Sequence, residues 1–426
     1  MRLMVIGSGG REHAICWKLL QNKSVEQIYC APGNGGTASI VKNVPISVEQ
    51  VEHLVKFAIM NNIDFTIVGT EVPLCLGIVD AFRNKGLRIF GPDKNSSKLE
   101  GSKCFAKSFM KKYSIPTADS EEFTDRKEAI KFLEKLFKSD DKAVIKADGL
   151  ASGKGVLIAD SFDTAKKAVN ICFDGEFGAA GKKILIEEFL DGEEASILAF
   201  TDGISILPLI SSQDHKRIGD YDTGLNTGGM GAYCPAPIVT PELMNLIERD
   251  ILSNFLNGIQ SENMDYRGII YAGVMISPKG VNVLEFNVRL GDPETQAVIS
   301  LLESDLLDLM LKTEEKKLSE CSLKWKEGSA VCVVISAEGY PGEFKKGDVI
   351  NGLKEAGKIG ANVFHAGTRF DGEKFYTSGG RVLGVTAVEK TLDEAIEKAY
   401  RGVKNISWNG AYYRTDIGQK AKKFNK

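Results

Sequence analysis

Residues 1–95 of the chain repeat one pattern, in which a short apolar run ends at or near glycine and a segment of helical periodicity follows. Leu3–Ile6 runs into Gly7-Ser8-Gly9-Gly10, Gln27–Cys30 into a turn containing Gly33, Phe65–Val68 into Gly69, and Leu87–Phe90 into Gly91-Pro92. Between them, Ala14, Ile15, Trp17 and Leu19 mark one helix, and Val51, Leu54, Val55 and Ala58 another. Uninterrupted apolar strands alternating with helices require burial on both faces, which a parallel sheet wound with helices on either side provides. In such sheets ligands gather at the carboxyl ends of the strands, where these glycines lie.

The pattern changes after residue 95. A Lys-rich amphipathic helix is expected from Ser96 to Tyr113, ended by Ile115-Pro116. Asp125 with Glu128 caps a further helix carrying Ile130, Leu133 and Phe137. Strands are expected at Ala143–Ala147, Val156–Ala159 and Lys183–Phe189, with a helix near 163–173, so that this block reads as a small α+β unit within a larger domain. Gly268–Ser277 and Val281–Val288 read as neighbouring strands. Polar Cys321–Gly328 is a linker candidate. A last unit follows, with strands near 330–336, 363–366 and 382–386 and a helix over 393–403. The divisions expected are 1–100, 101–326 with a lid at about 120–190, and 327–426.

With 54 basic and 57 acidic side chains, the chain lacks the cationic excess of a dedicated nucleic-acid binder. No uninterrupted apolar stretch reaches the roughly 18 residues of a membrane span, and the N-terminal apolar run is too short for a signal peptide. The 8 cysteines form no CxxC pair and suit free thiols in a reducing cytoplasm.

Five segments can carry chemistry. Gly7-Ser8-Gly9-Gly10-Arg11-Glu12 follows a strand and opens a helix, a place where backbone amides favour phosphate and Arg11 adds a fork of donors. Glu12 stands where a dinucleotide fingerprint has its third glycine, which weakens a nicotinamide reading. Lys146 to Gly155 is not a Walker A loop, because Gly155 replaces the magnesium-binding Ser or Thr and a strand follows. A strand–glycine loop–strand hairpin of this kind suits a lid over polyphosphate, with Lys146 at its base. The acidic strand end Glu187-Glu188-Phe189-Leu190, with Glu193-Glu194 beyond, suits a hinge that meets an adenine edge and a ribose. In Val283–Arg289, alternation puts Glu285, Asn287 and Arg289 on one face and Leu284, Phe286 and Val288 on the other. Glutamate and asparagine oxygens suit Mg²⁺, and Arg289 suits a carboxylate or phosphate. Ser211–Arg217 and Asn226–Gly231 form a long polar, glycine-rich stretch typical of a functional loop; within it, His215 has no neighbouring triad partners.

A lid loop with lysine, an acidic hinge and a Glu-x-Asn strand, in that order, resemble the ATP-grasp fold. IGSGGREHA, APGNGGT, IFGP, LEGSK, IKADGLASGKGV, IEEFLDGEEAS, SQDHKR, NTGGMGAY and EFNVRLGDPETQ resemble the phosphoribosylamine–glycine ligase family, with GYPG, FHAGT and SGGRVLGVTA continuing the similarity towards the C-terminus. Thr70 departs from the proline expected in VGTE. The resemblance implies a doubly wound N-terminal domain, an ATP-grasp domain with a small α+β lid, and a C-terminal mixed-sheet domain. It also implies ATP-dependent joining of glycine to 5-phospho-β-D-ribosylamine through a glycyl phosphate, releasing ADP and phosphate, in purine biosynthesis.

By the same resemblance, Lys103, Lys146, Gly149, Ser152, Gly153 and Gly155 would hold the ATP phosphates. Glu187, Glu188 and Leu190 would frame adenine and Glu194 the ribose. Glu285 and Asn287 would bind Mg²⁺, with Mn²⁺ as a substitute. Gly9, Gly10, Arg11, Glu12, Asp214, Lys216, Arg289, Asp292, Pro293 and Glu294 would hold substrate, with Arg289, Lys146 and Asp292 at the chemistry. A cytoplasmic monomer acting on small molecules, with no nucleic-acid or membrane partner, is expected. The rivals are another carboxylate–amine ligase of this fold, a nicotinamide oxidoreductase built on residues 1–95, and a nucleotide sensor.

Overall fold

The computed structural model describes residues 1–139, 141–150 and 155–424. The first sheet has five parallel strands in the order Lys42–Asn43, Gln27–Pro32, Arg2–Gly7, Phe65–Val68, Ile89–Phe90. Leu3, Met4, Val5 and Ile6 are fully buried, as strands covered on both faces must be. Strand order reverses at Arg2–Gly7, which opens a crevice where Gly7 and Gly69 leave the sheet. The edge strand Lys42–Asn43 was not anticipated, because it is short and polar and carries no apolar run.

The Lys-rich segment is two helices, Lys98–Gly101 and Lys103–Lys112, not one. Ser102 between them is extended, at φ −137°, and its hydroxyl accepts from Phe105 N at 3.1 Å as an N-cap. The break lets Asp148 reach the new N-terminus, accepting from Ser102 Oγ at 2.9 Å and from Cys104 N at 3.1 Å. The Gly101-Ser102 pair was the available signal for this break.

The expected small unit is an antiparallel sheet ordered Ser120–Phe123, Ile184–Glu188, Ala143–Ala147, Val156–Ala159. Helices Arg126–Leu136 and Phe162–Phe173 cover it through Ala129, Leu133, Ala165 and Val169. It is inserted before a second antiparallel sheet ordered Ile206–Pro208, Glu193–Thr201, Gly268–Ser277, Gly280–Asn287.

In the last of these strands, Gly273 faces Glu285 and Val274 faces Val283, so Leu284 is the extra residue of a β-bulge. The expected face therefore needs a correction. Phe286, Val288 and Val283 join the core and Leu284 does not; Glu285, Asn287 and Arg289 keep their alternation.

The third large sheet runs Gln213–Asp214, Gly231–Cys234, Ser329–Ala337, Arg381–Glu389, Asn362–His365, with Ala411–Tyr412 beside Ser329–Ala337. Its pairings are all antiparallel, where a mixture of directions was expected. Its first two strands come from the polar loop region, which ties residues 213–234 to the C-terminal unit. Segment 321–328 lies along the end of helix Glu294–Leu301, with Lys326 N donating to Leu301 O at 2.8 Å. That helix is buried along its whole length and packs against helix Gly10–Leu19 and strands of the third sheet. It anchors the Arg289–Glu294 segment where the three units meet.

Candidate active site

Two lysines stand at the base of the lid. Lys103 Nζ donates to Gly149 O at 2.8 Å, and burial pulls its ammonium below the usual lysine range, reinforced by Lys146 and opposed by Glu285. Lys146 Nζ donates to Leu284 O at 3.1 Å, the carbonyl freed by the bulge, and lies 2.7 Å from Glu187 Oε2. Glu187, expected to frame adenine, is instead turned inward and only 3% exposed, with Lys107 Nζ 2.9 Å from its other oxygen. Glu188 stays at the strand end and accepts from Asp119 N at 3.0 Å. Leu190 lies in the irregular stretch before Glu193–Thr201, and its backbone makes no hydrogen bond among the described residues. Gly149 is in the left-handed half of φ space at 153°, and a Cβ there would lie 2.8 Å from Ala180 Cβ. Gly155 is buried and its carbonyl accepts from Ala147 N at 2.9 Å. Ser152 and Gly153 lie outside the described residues.

Glu285 faces three lysines. Its side chain makes no hydrogen bond among the described residues, and Lys216 Nζ is 3.8 Å away. Removal from bulk water opposes its ionisation, but Lys216, Lys146 and Lys103 outweigh that and hold the carboxyl below its usual range. Lys216 also pairs with Glu194 at 2.8 Å, so the residue expected at the ribose is linked to the polar loop. Burial works against the Lys216 charge, yet Glu194 and Glu285 raise its affinity for a proton.

Arg289 is clamped. Its NH2 lies 2.9 Å from Glu100 Oε1 and donates to Asn287 Oδ1 at 3.1 Å, while Nε meets Glu71 Oε2 at 3.3 Å. Burial pushes Glu100 up to about 7, against the pull of Arg289. Burial also acts on Glu71, but there Arg289 and Arg11 prevail and hold it at about 2. Glu71 and Glu100 were not foreseen from the sequence. Their places in VGTE and LEGSK, Glu71 opening helix Glu71–Leu76 and Glu100 inside the short helix Lys98–Gly101, were the only signal.

The glycine loop is occupied by its own side chains. Glu12 Oε2 accepts from Gly9 N at 2.6 Å and Oε1 from Arg11 Nε at 2.6 Å, with Glu12 1% exposed. Gly7 and Gly69 are glycines because a Cβ on either would come within 2.5 or 2.1 Å of the Glu12 side chain. The Gly9 amide that a dinucleotide pyrophosphate would need is therefore already satisfied by a carboxylate, which removes the oxidoreductase reading. Arg11, expected to present its fork to phosphate, donates from NH1 to Leu290 O at 2.8 Å, and its backbone N meets Asp292 Oδ2 at 3.3 Å. It fastens the first sheet to the Arg289–Glu294 segment.

Gly10 sits against Gln296, whose Nε2 would lie 2.6 Å from a Cβ there. Asp292 Oδ1 accepts from Gln296 Nε2 at 2.8 Å; burial opposes its ionisation, but Arg381 and Arg11 hold it low. Arg381, unforeseen from sequence, donates from the C-terminal sheet to Asp292 O at 2.6 Å and to Gly229 O at 3.3 Å. Pro293 follows a cis peptide bond and packs where a Cβ on Gly229 would fall, 2.5 Å from Pro293 Cδ. Glu294 Oε1 accepts from Tyr271 OH at 2.6 Å. Burial, then the Glu294 carboxylate, raise the Asp214 carboxyl well above its usual range. His215 is fully buried and pushed down to about 3 by that burial, then by Arg414 and Lys420; Gly418 N donates to its Nε2 at 3.4 Å, a structural role.

The charges of Lys103, Lys146 and Arg289 gathered around Glu285, near a glycine loop on a parallel sheet, are of the kind that nucleotide-driven chemistry on a carboxylate needs. Comparison with known proteins gives this a family. The models described as Phosphoribosylglycinamide synthetase N domain, ATP-grasp (A) domain and C domain match residues 1–100, 101–295 and 330–420. A phosphoribosylamine–glycine ligase of Clostridium acetobutylicum is 50% identical over 98% of this chain and 100% of its own length. One from Nostoc is 46% identical over 98% and 99%. The crystal structure of a phosphoribosylamine–glycine ligase from Thermotoga maritima superposes with a TM-score of 0.86 at 34% identity, covering 98% of this chain and 100% of that one. A biotin carboxylase from Campylobacter jejuni, 12% identical with a TM-score of 0.73 over 99% and 93% of the two chains, shares the fold. By full-length sequence and by architecture, the chain belongs to the phosphoribosylamine–glycine ligase family.

Proposed function

We propose that the chain uses ATP to join glycine to 5-phospho-β-D-ribosylamine, giving glycinamide ribonucleotide, ADP and phosphate in purine biosynthesis, through a glycyl phosphate. The observation that carries this reading is Glu285, an ionised carboxylate without a hydrogen bond among the described residues, facing Lys103, Lys146 and Lys216 two strand positions from Asn287. Three cations around one open acid suit a polyphosphate and its counter-ion.

The donor set fits Mg²⁺, a hard ion that takes one or two protein oxygens and fills its remaining positions with phosphate and water. Glu285 and Asn287 would hold it, and it would neutralise phosphate charge; Mn²⁺ meets the same requirement.

Adenine would meet the backbone at Leu190, which is unpaired among the described residues, beside Glu188. Lys103 and Lys146 would grip the phosphates, with the 149–155 hairpin above them. Arg289, fixed by Glu71 and Glu100, would orient the glycine carboxylate toward the γ-phosphorus. A carboxylate oxygen bonds to that phosphorus as its bond to the ADP oxygen breaks. The ribosylamine nitrogen then bonds to the glycyl carbonyl carbon. Phosphate departs with the carboxylate oxygen, and the amine proton passes to solvent. Asp214, Lys216, Asp292 and Glu294 would line the approach of the amine, with Gly9 and Gly10 at the sugar phosphate and Arg11 fixing their loop. No side-chain nucleophile is required; catalysis is alignment and charge neutralisation.

We further infer a cytoplasmic monomer; free thiols at all eight cysteines fit a reducing compartment. Incubation with ATP, Mg²⁺, glycine and fresh phosphoribosylamine tests the reaction. The expected products are ADP, phosphate and glycinamide ribonucleotide by mass. AMP with pyrophosphate, or no ligated product, would refute it.

A further inference from the structure

Lys107 is a charged residue with no part in the sequence motifs or in the proposed mechanism. It is 2% exposed and sits mid-helix in Lys103–Lys112. Its Nζ donates to Thr117 Oγ1 at 2.7 Å and to Ala118 O at 3.2 Å, where the chain enters the lid unit. Thr117 Oγ1 in turn donates to Val283 O at 2.7 Å, on the strand that carries Glu285. The same ammonium lies 2.9 Å from Glu187 Oε1, near the end of the strand by which the chain leaves the lid unit. Lys107 therefore touches both chain crossings between the lid and the body. Across Glu187, on Oε2, stands Lys146 at 2.7 Å.

The charges settle what this arrangement does. A buried carboxylate needs a cation, and one lysine satisfies it. If Lys146 were the only cation beside Glu187, its charge would be spent inside the protein. With Lys107 present, the group of two ammoniums and one carboxylate keeps one surplus positive charge. Lys107 is closed in by Thr117, Ala118 and Glu187, whereas Lys146 reaches the Leu284 carbonyl beside Glu285. The surplus therefore belongs to Lys146, on the nucleotide side.

We propose that Lys107 is a positioning residue for ATP: it neutralises Glu187 so that the Lys146 ammonium remains available to a phosphate, and it ties that charge to the lid hinge. This rests on the reading of Lys146 as a phosphate-holding residue, so Lys146→Ala is measured alongside. That variant should raise the KM for ATP and leave that for phosphoribosylamine nearly unchanged. If it instead affects phosphoribosylamine alone, the reading of the ATP site fails, whatever Lys107 does.

The proposal itself is tested with Lys107→Met, which keeps the stem and removes the charge, Glu187→Gln, and the double variant. Steady-state kinetics are taken with each substrate varied, and a thermal melt is recorded for each protein. Lys107→Met should raise the KM for ATP at least tenfold, with the KM for glycine changed less than twofold. Adding Glu187→Gln restores the surplus charge and should recover most of that loss. Lys107→Arg should retain near-normal ATP use, because it keeps the counter-charge. Three results overturn the proposal: an unchanged KM for ATP in Lys107→Met while Lys146→Ala raises it; a double variant no better than Lys107→Met; or equal increases for all substrates following the loss of melting temperature. If Lys107→Met does not fold, Lys107→Arg and the double variant still decide, since failure of the charge-restored double to recover ATP use contradicts the charge argument.

Discussion

The Arg11–Glu12 pair offers a quantitative test of how the glycine loop is held. Both side chains are nearly buried, 8% and 1% exposed, and Glu12 accepts one bond from Arg11 Nε and one from Gly9 N, each at 2.6 Å. In Glu12→Gln the amide oxygen can accept one of these donors, and its NH₂ then faces the other. One charge-assisted contact of about 1.5–3 kcal/mol is lost. The Arg11 charge keeps Leu290 O at 2.8 Å and the nearby Asp292, so the cost stays below the upper part of the roughly 3–5 kcal/mol typical of a broken buried pair. We expect Glu12→Gln to destabilise the protein by about 2–4 kcal/mol. Arg11→Met, which leaves a buried carboxylate with the Gly9 amide alone, should cost a similar amount. The double variant should cost clearly less than the sum, with a coupling of about 1.5 kcal/mol or more. Urea unfolding followed by circular dichroism and by near-ultraviolet absorbance checks this, with both probes compared because several units unfold. Because the pair fixes Gly9 against Asp292, Glu12→Gln should also raise the KM for phosphoribosylamine and leave that for ATP almost unchanged. Additive single-variant costs, or a change below about 0.5 kcal/mol in Glu12→Gln, would refute the reasoning.

Gly69→Ala should destabilise by about 1–3 kcal/mol, since its Cβ would fall 2.1 Å from Glu12 Oε1; Glu12→Asp on that background should recover part of the loss in the same unfolding assay. Glu285→Gln and Asn287→Leu should each raise the Mg²⁺ concentration needed for half-maximal activity, with melting temperatures near that of the parent protein; unchanged metal dependence in both would contradict the assignment. Glu100, raised from 4.5 to about 7 chiefly by burial, favours folding below pH 4.5, and this contribution is lost as pH rises to about 7, on the order of 3 kcal/mol in all. Glu71, held at about 2, acts in the opposite sense, with its contribution present above pH 4.5 and lost as pH falls toward 2. Stability measured against pH in Glu100→Gln should therefore lack a decline between pH 4.5 and 7 that the parent protein has.

The apolar strands were legible because burial writes itself as composition: Ala143–Ala147 and Gly268–Ser277 lie where their runs predict, and so does Val156–Ala159, although only Ala159 of that strand is fully buried. What stayed hidden depends on pairings distant in sequence. The helix break at Ser102 is favoured by Asp148, a residue 46 positions away. The bulge at Leu284 exists only relative to Gly273 and Val274 on the neighbouring strand. Arg381 and Glu100 act through carbonyls and charges that the fold brings to them, and an isolated Arg or Glu has no periodicity to announce that. Glu187 was noticed as a strand-end acid, but its direction was not. Whether a terminal carboxylate faces the nucleotide or the interior turns on Lys107, and a lysine in a Lys-rich helix reads as solvent-exposed until its neighbours are known.

The central claim is that glycine is activated as an acyl phosphate within this cleft. Glycine carrying ¹⁸O in both carboxylate positions tests it most directly. After turnover with ATP, Mg²⁺ and phosphoribosylamine, the mass of the inorganic phosphate should show one ¹⁸O per phosphate released, with the other retained in the amide product. Phosphate free of ¹⁸O, with label in AMP or in water, would contradict the account.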